Sequence, residues 1–184
     1  MEATEILMEE HRVIERVISA LENQAGRMKA GSPVRTEFFL DAAAFIRKFA
    51  DGCHHRKEEE SLFMAMVDAG LSNQTGPIAI VLAEHEQGRM YTRAMEKAAR
   101  AMAGGQPDGR DDIILNAQAY VSLMRQHIRR ENEFIFPLAV RMIPPDQQEK
   151  ISQEFERIEH EETGAGVHEK YHALAEALEK EAAG

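Results

Sequence analysis

At 184 residues, 43% hydrophobic and 29% charged, the chain has the size and composition of one globular domain with a sizeable core. Its net charge of −10, without basic clusters, argues against a nucleic-acid partner, and its single cysteine, Cys53, excludes an internal disulfide. No apolar run approaches the roughly 20 residues that span a bilayer, and the acidic opening MEATEILMEEHRV is the reverse of a signal or transit peptide, so no membrane association and a cytoplasmic address are expected.

Apolar residues recur at helical spacing almost throughout, which predicts an all-α protein. The first helix is expected over about 2–29, with Ile6, Val13, Val17 and Leu21 among its apolar positions and a stop near Lys29-Ala30-Gly31. The second is expected to begin at Ser32-Pro33, a serine cap with proline at the first helical position, and to end near Gly70. A third runs from Gly76-Pro77 to Gly104-Gly105, and a fourth from about 111 to Met142, where Pro144-Pro145 forbids continuation. The rest forms a fifth, broken at Thr163-Gly164-Ala165-Gly166. Short connections favour an antiparallel up-down-up-down four-helix bundle over residues 1–143. Residues 144–184 form a C-terminal helical extension, packed on the bundle or on a protein partner, a second copy included.

The two halves of the bundle resemble one hairpin used twice. HHRKEEESLFM of the second helix aligns without a gap to HIRRENEFIFP of the fourth, pairing His54 with His127, Glu58 with Glu131 and Phe63 with Phe136. Met8-Glu9-Glu10-His11 likewise matches Leu82-Ala83-Glu84-His85. Within each histidine–glutamate pair the i,i+4 spacing puts imidazole and carboxylate on one helix face. At about 1.5 Å per residue, His11 and His85 lie roughly 12 Å from one end of an antiparallel bundle, His54 and His127 roughly 24 Å, and the glutamates at about 18 Å between them. Two equivalent hairpins, each bringing two histidines and a glutamate to one level, imply two metals with carboxylates available to bridge them. Imidazole with carboxylate suits iron, with zinc or manganese as possible substitutes. His55/Glu59 has the same spacing as His54/Glu58, so the register of the second helix stays open, with His55 and Glu59 as alternative or additional ligands.

EH in the first helix, CHHRKEEESLF in the second, AEHEQGR in the third and HIRRENEFIFP in the fourth follow the order H…HxxxE…H…HxxxE over about residues 5–142. The set resembles the hemerythrin-like, HHE cation-binding family. The resemblance implies a non-haem diiron centre, carboxylate- or oxo-bridged, with His11, His54, Glu58, His85, His127 and Glu131 as ligands and a small diatomic molecule or peroxide as partner. Animal oxygen-carrying hemerythrin has one more histidine ligand and a different carboxylate spacing on its last helix, which opens the alternatives of a diiron enzyme consuming peroxide or nitric oxide, an oxidase, or an iron-handling protein.

Other features are read more plainly. Phe63, Phe134, Phe136, Leu62 and Ile135 are expected in the core, and Glu59, Glu60 and Glu133 on a solvated face unless the register shifts. Gly88 leaves space either for a ligand or for close helix packing, and Tyr120, seven residues before His127, points the same way as that histidine. His168-Glu169-Lys170-Tyr171-His172 matches HExxH letter for letter, but without a sheet or a third ligand nearby it reads as a solvated or interface face.

Overall fold

The computed structural model describes residues 3–106, 109–163 and 167–184, with the side chains of 162, 163, 167 and 168 left out. Among them there is no strand, and no helix is long and apolar enough to cross a membrane. Six helices account for nearly all of the described residues: α1 (Ala3–Lys29), α2 (36–68), α3 (Gly76–Ala103), α4 (109–142), α5 (Pro145–Thr163) and α6 (Val167–Ala183). The first four form the expected bundle: α1 packs against α4, α4 against α3, α3 against α2, and α2 closes back on α1.

Helix α1 shows how the sequence dictates this. Leu7, His11, Ile14, Ile18, Leu21, Ala25 and Met28 recur at intervals of three and four, and all are buried. One histidine thus occupies a position in an otherwise apolar stripe. The helix stops where Gly31 takes φ 84°, letting the Ser32 and Gly31 amides return to the carbonyls of Arg27 and Met28; Gly105, at φ 91°, ends α3 in the same way.

Helix α2 begins at Thr36, three residues later than Ser32-Pro33 suggests. Val34 packs on the core, and Arg35 is tied to Asp41 and to Glu181 of α6, so the segment serves as a strap between helices and not as a first turn. The fifth predicted helix is two, α5 and α6; of its predicted break, residues 164–166 lie outside the described residues. Both C-terminal helices pack on the bundle itself, α5 on α1 and α2 and α6 on α1 and α2, burying Ile151, Phe155, Ile158, Ala175 and Leu178.

Helices α2 and α4 are not α-helical throughout. Wide i→i+5 turns occupy Ile46–His55 and Glu58–Leu62 in α2 and Glu131–Ile135 in α4. Such turns are rare and costly unless something compensates. The second and third start at equivalent glutamates; the first has no equivalent in α4. The wide turn in α4 also corrects one expectation, because Ile135 is buried with Glu131 while Phe134 is half exposed at 49%.

The core is divided. One apolar cluster holds the starts of α1 and α3 with the ends of α2 and α4, through Leu7, Val81, Phe63 and Phe136, and the other fills the opposite end, through Leu21, Phe45, Met95 and Ala117. Between them lies a layer of buried polar groups: Glu10, His11, His54, His55, Lys57, Glu58, His85, His127 and Glu131.

Candidate metal centre

All six residues singled out by the paired motifs converge in this layer. His11 Nε2 lies 2.9 Å from His54 Nε2, and His85 Nε2 lies 3.2 Å from His127 Nε2. Glu58 stands between the two pairs, with Oε1 3.5 Å from His54 Nε2 and Oε2 3.4 Å from His85 Nε2. Glu131 does the same from the other side, its Oε2 being 3.2 Å from His11 Nε2 and 3.1 Å from His127 Nε2. On the second helix, His54, Glu58 and His55 all face inward. Two overlapping groups able to hold a metal ion result, His11–His54–Glu58–Glu131 and His55–Glu58–His85–His127. Glu59 belongs to neither; its carboxylate turns outward to His85 Nδ1.

Each of the five imidazoles is held from behind. His54 Nδ1 donates to Glu10 at 2.9 Å, His127 Nδ1 to Glu84 at 3.1 Å, His85 Nδ1 to Glu59 at 2.7 Å and His55 Nδ1 to Asp51 at 3.4 Å, while His11 Nδ1 is 2.9 Å from Asn132 Oδ1. A carboxylate can only accept, so the rings facing one carry the proton on Nδ1 and, when neutral, point the Nε2 lone pair inward. The repeat extends to these supports. The glutamate before each α1 or α3 histidine, Glu10 or Glu84, holds the histidine of the next helix. The residue after each shared glutamate, Glu59 or Asn132, holds the α3 or α1 histidine. Behind Glu10 stands Lys57, and behind Glu84 its equivalent Arg130. Phe63 stacks on His85 and Phe136 on His11, closing the layer toward the nearer end of the bundle.

This arrangement leaves buried polar atoms that a cation would satisfy. Both oxygens of Glu58, both of Glu131 and His55 Nε2 are buried without a hydrogen-bond partner. Burial and the charge of Glu131 push the Glu58 carboxyl well above its usual range, and burial with neighbouring imidazoles pushes His54 and His85 well below theirs. At His127 burial works the same way, but Glu131 and Glu84 outweigh it and lift the ring to about 9. A proton there supplies positive charge that the site otherwise lacks. A metal supplies it better: two nitrogens bound at about 2.1 Å and at right angles lie about 3 Å apart, the separation seen within each histidine pair. The donor set and the spacing fit metal ions.

The sequence model of the hemerythrin HHE cation-binding domain matches residues 2–139. The chain belongs to the hemerythrin HHE cation-binding family. It is also similar to uncharacterised proteins of Mycobacterium bovis and of two strains of Mycobacterium tuberculosis, each 26% identical over 162 residues. The match covers 88% of this chain and 63% of each relative, so this HHE protein spans less than two thirds of their length. No solved structure gives a significant match.

Outside the centre, the HExxH segment lies on α6. His172 packs edge-on against Phe49 at 5.7 Å, and the side chain of His168 lies outside the described residues; no metal-holding group among the described residues includes this segment. Cys53 is buried beside His54, and burial pushes its thiol up to about 12, which makes it inert. The supports Glu10, Asp51, Glu84 and Asn132 were not evident from ligand spacing. Glu10 and Glu84 had a signal nonetheless, since they occupy matching places in the aligned quartets.

Proposed function

We propose that this HHE protein holds two irons and binds oxygen, nitric oxide or peroxide there. The observation that carries the reading is the convergence of five inward-facing imidazoles around two shared, unpartnered carboxylates. His55, His85 and His127 with Glu58 and Glu131 offer one metal five donors; His11 and His54 with the same two glutamates offer the other four. With fewer protein donors, the second metal would leave room for a small exogenous molecule, and bound iron would supply redox electrons.

The protein's own part is to prepare the place. Glu10, Asp51, Glu59, Glu84 and Asn132 fix each ring, and Glu58 and Glu131 balance charge across both metals. Phe63 and Phe136 exclude water on one side, which protects a reactive small molecule from side reactions.

The test is metal analysis with absorption spectroscopy on protein from iron-replete cells, beside a His54→Ala/His127→Ala double variant. Near two irons per chain and an oxo-bridged diiron band, both lost in the variant, are expected; full iron content in the variant overturns the ligand assignment. Stopped-flow mixing then separates a reversible oxygen carrier or sensor, which forms an adduct that reverses on deoxygenation, from an enzyme, which turns over peroxide repeatedly.

A further inference from the structure

A pocket of about 190 Å³ opens between α2 and α3 and ends on the buried layer. Its floor is the edge of His55 and His85, whose rings stack at 3.9 Å. One wall is Tyr120, 1% exposed, whose hydroxyl has no hydrogen-bond partner. Gly88, Ile46 and Thr92 complete the interior, and Arg47, Asp51, Arg89, Arg93 and Glu96 form the mouth.

Three observations point to a ligand. The pocket has room for several waters or one small organic molecule, far more than a diatomic needs. A buried hydroxyl without a partner costs free energy, so Tyr120 calls for an acceptor inside the pocket. Gly88 is not demanded by helix packing, because a Cβ there would meet Tyr120 and Met124 at an ordinary 3.6 Å; what its bareness provides is space. The mouth adds a charge preference. Arg89 is tied to Asp51, Glu59 and Glu86, and Arg47 to Glu96, whereas exposed Arg93 makes no ion pair among the described residues. An uncommitted cation on a chain of net charge −10 favours anions at this opening.

We propose that this pocket binds a small organic carboxylate, its carboxylate accepting from Arg93 and the Tyr120 hydroxyl and its apolar body against Ile46 and Gly88. It is a second site, lined by His55 and His85 and not by His11 or His54. The wide turn Ile46–His55 builds both features at once: it supplies Ile46, Arg47, Asp51 and His55 to the pocket and turns His55 into the metal layer. An occupant therefore touches the imidazoles without displacing a ligand.

Benzoate is the probe, titrated into the metal-loaded full chain and followed by calorimetry and by the metal's absorption band, with metal content measured on the same samples. Saturable binding is expected, with little change in the band. Benzamide, of the same shape without the charge, binds about tenfold more weakly, as benzoate does to Arg93→Glu, a surface change that leaves the fold alone. Tyr120→Phe weakens binding about three- to tenfold, and Gly88→Leu, which fills the pocket, abolishes it. Absence of saturable benzoate binding to the metal-loaded chain, or equal binding by wild type, Arg93→Glu and Gly88→Leu, overturns the proposal. A large shift of the band with these variants unaffected also overturns it, by placing benzoate on the metal. Loss of metal from the wild type would overturn the function proposed above and leave the pocket's benzoate titration to be judged by itself.

Discussion

The two halves of the buried layer are built to one plan and end differently. On the α1–α2 side, His54 is held by Glu10, and Glu10 by Lys57, which is fully buried and also reaches Glu159 of α5 at 3.0 Å beneath the ring of Phe155. On the α3–α4 side, His127 is held by Glu84, and Glu84 by Arg130, a third exposed. The α3–α4 side instead gains His55 from across the bundle and the pocket beside it. The repeated hairpin gives two groups of side chains that could hold a metal, and the departures from symmetry set them apart: one lies under α5, the other has three histidines and a pocket at its edge.

Removing one histidine from each half breaks the comparison most severely. Because structural metal sites of this kind contribute on the order of 10 kcal/mol, His11→Ala should leave about one metal per chain, held by the three-histidine group, whereas His55→Ala should leave both metals with weaker retention on one side. Metal-to-protein ratios after dialysis against a chelator check this; equal loss in the two variants would contradict the asymmetry.

Lys57→Met and Arg130→Met come next. Taking the buried ammonium away from the buried Glu10 should cost about 3–5 kcal/mol, while losing the part-exposed Arg130 should cost under about 1 kcal/mol. Urea midpoints of the metal-loaded proteins read the difference.

Glu10→Gln and Glu84→Gln keep shape but weaken the support behind His54 and His127. Each should lower metal affinity about 10- to 100-fold, with the loss confined to its own half. Competitive metal titrations measure it.

The smallest effect is a proton. Without metal, His127 at about 9 is protonated at neutral pH, whereas His54 lies far below its usual range and is not. Metal needs the free nitrogen, so loading at neutral pH expels the His127 proton, and loading well above pH 9 does not. Calorimetry in buffers of different ionisation enthalpy should show about one more proton released at the lower pH. The same count at both would place that proton elsewhere.

How much of this the sequence revealed depended on which geometry carried it. His54/Glu58 and His127/Glu131 were legible because i,i+4 neighbours share a face on any ordinary helix, and the depth argument held because chain ends and rise per residue are nearly fixed. His55 was left open because a neighbour of His54 sits about 100° away on an α-helix. The wide turn over Ile46–His55 reduces that angle and lets both face inward, and nothing in the apolar periodicity signals such a turn. Phe134 was misplaced for the same reason, in the wide turn Glu131–Ile135. Glu10, Glu59, Glu84 and Asn132 reach across between helices, so spacing along one helix could not find them, and only the match of Glu10 to Glu84 hinted at their place; Asp51 supports His55 from one turn earlier on the same helix. The start of α2 was misjudged because Arg35 answers to Glu181, a partner 146 residues away.

The contact from Lys57 to Glu159 also bears on how such a unit can be cut from its chain. The family match ends at residue 139, yet the lysine that secures Glu10 is roofed by α5, and α6 buries Ala175 and Leu178 against the same core. The boundary drawn by ancestry therefore falls inside the folded body, and a graft or fusion designed from it would transplant the donor residues while leaving their lid behind.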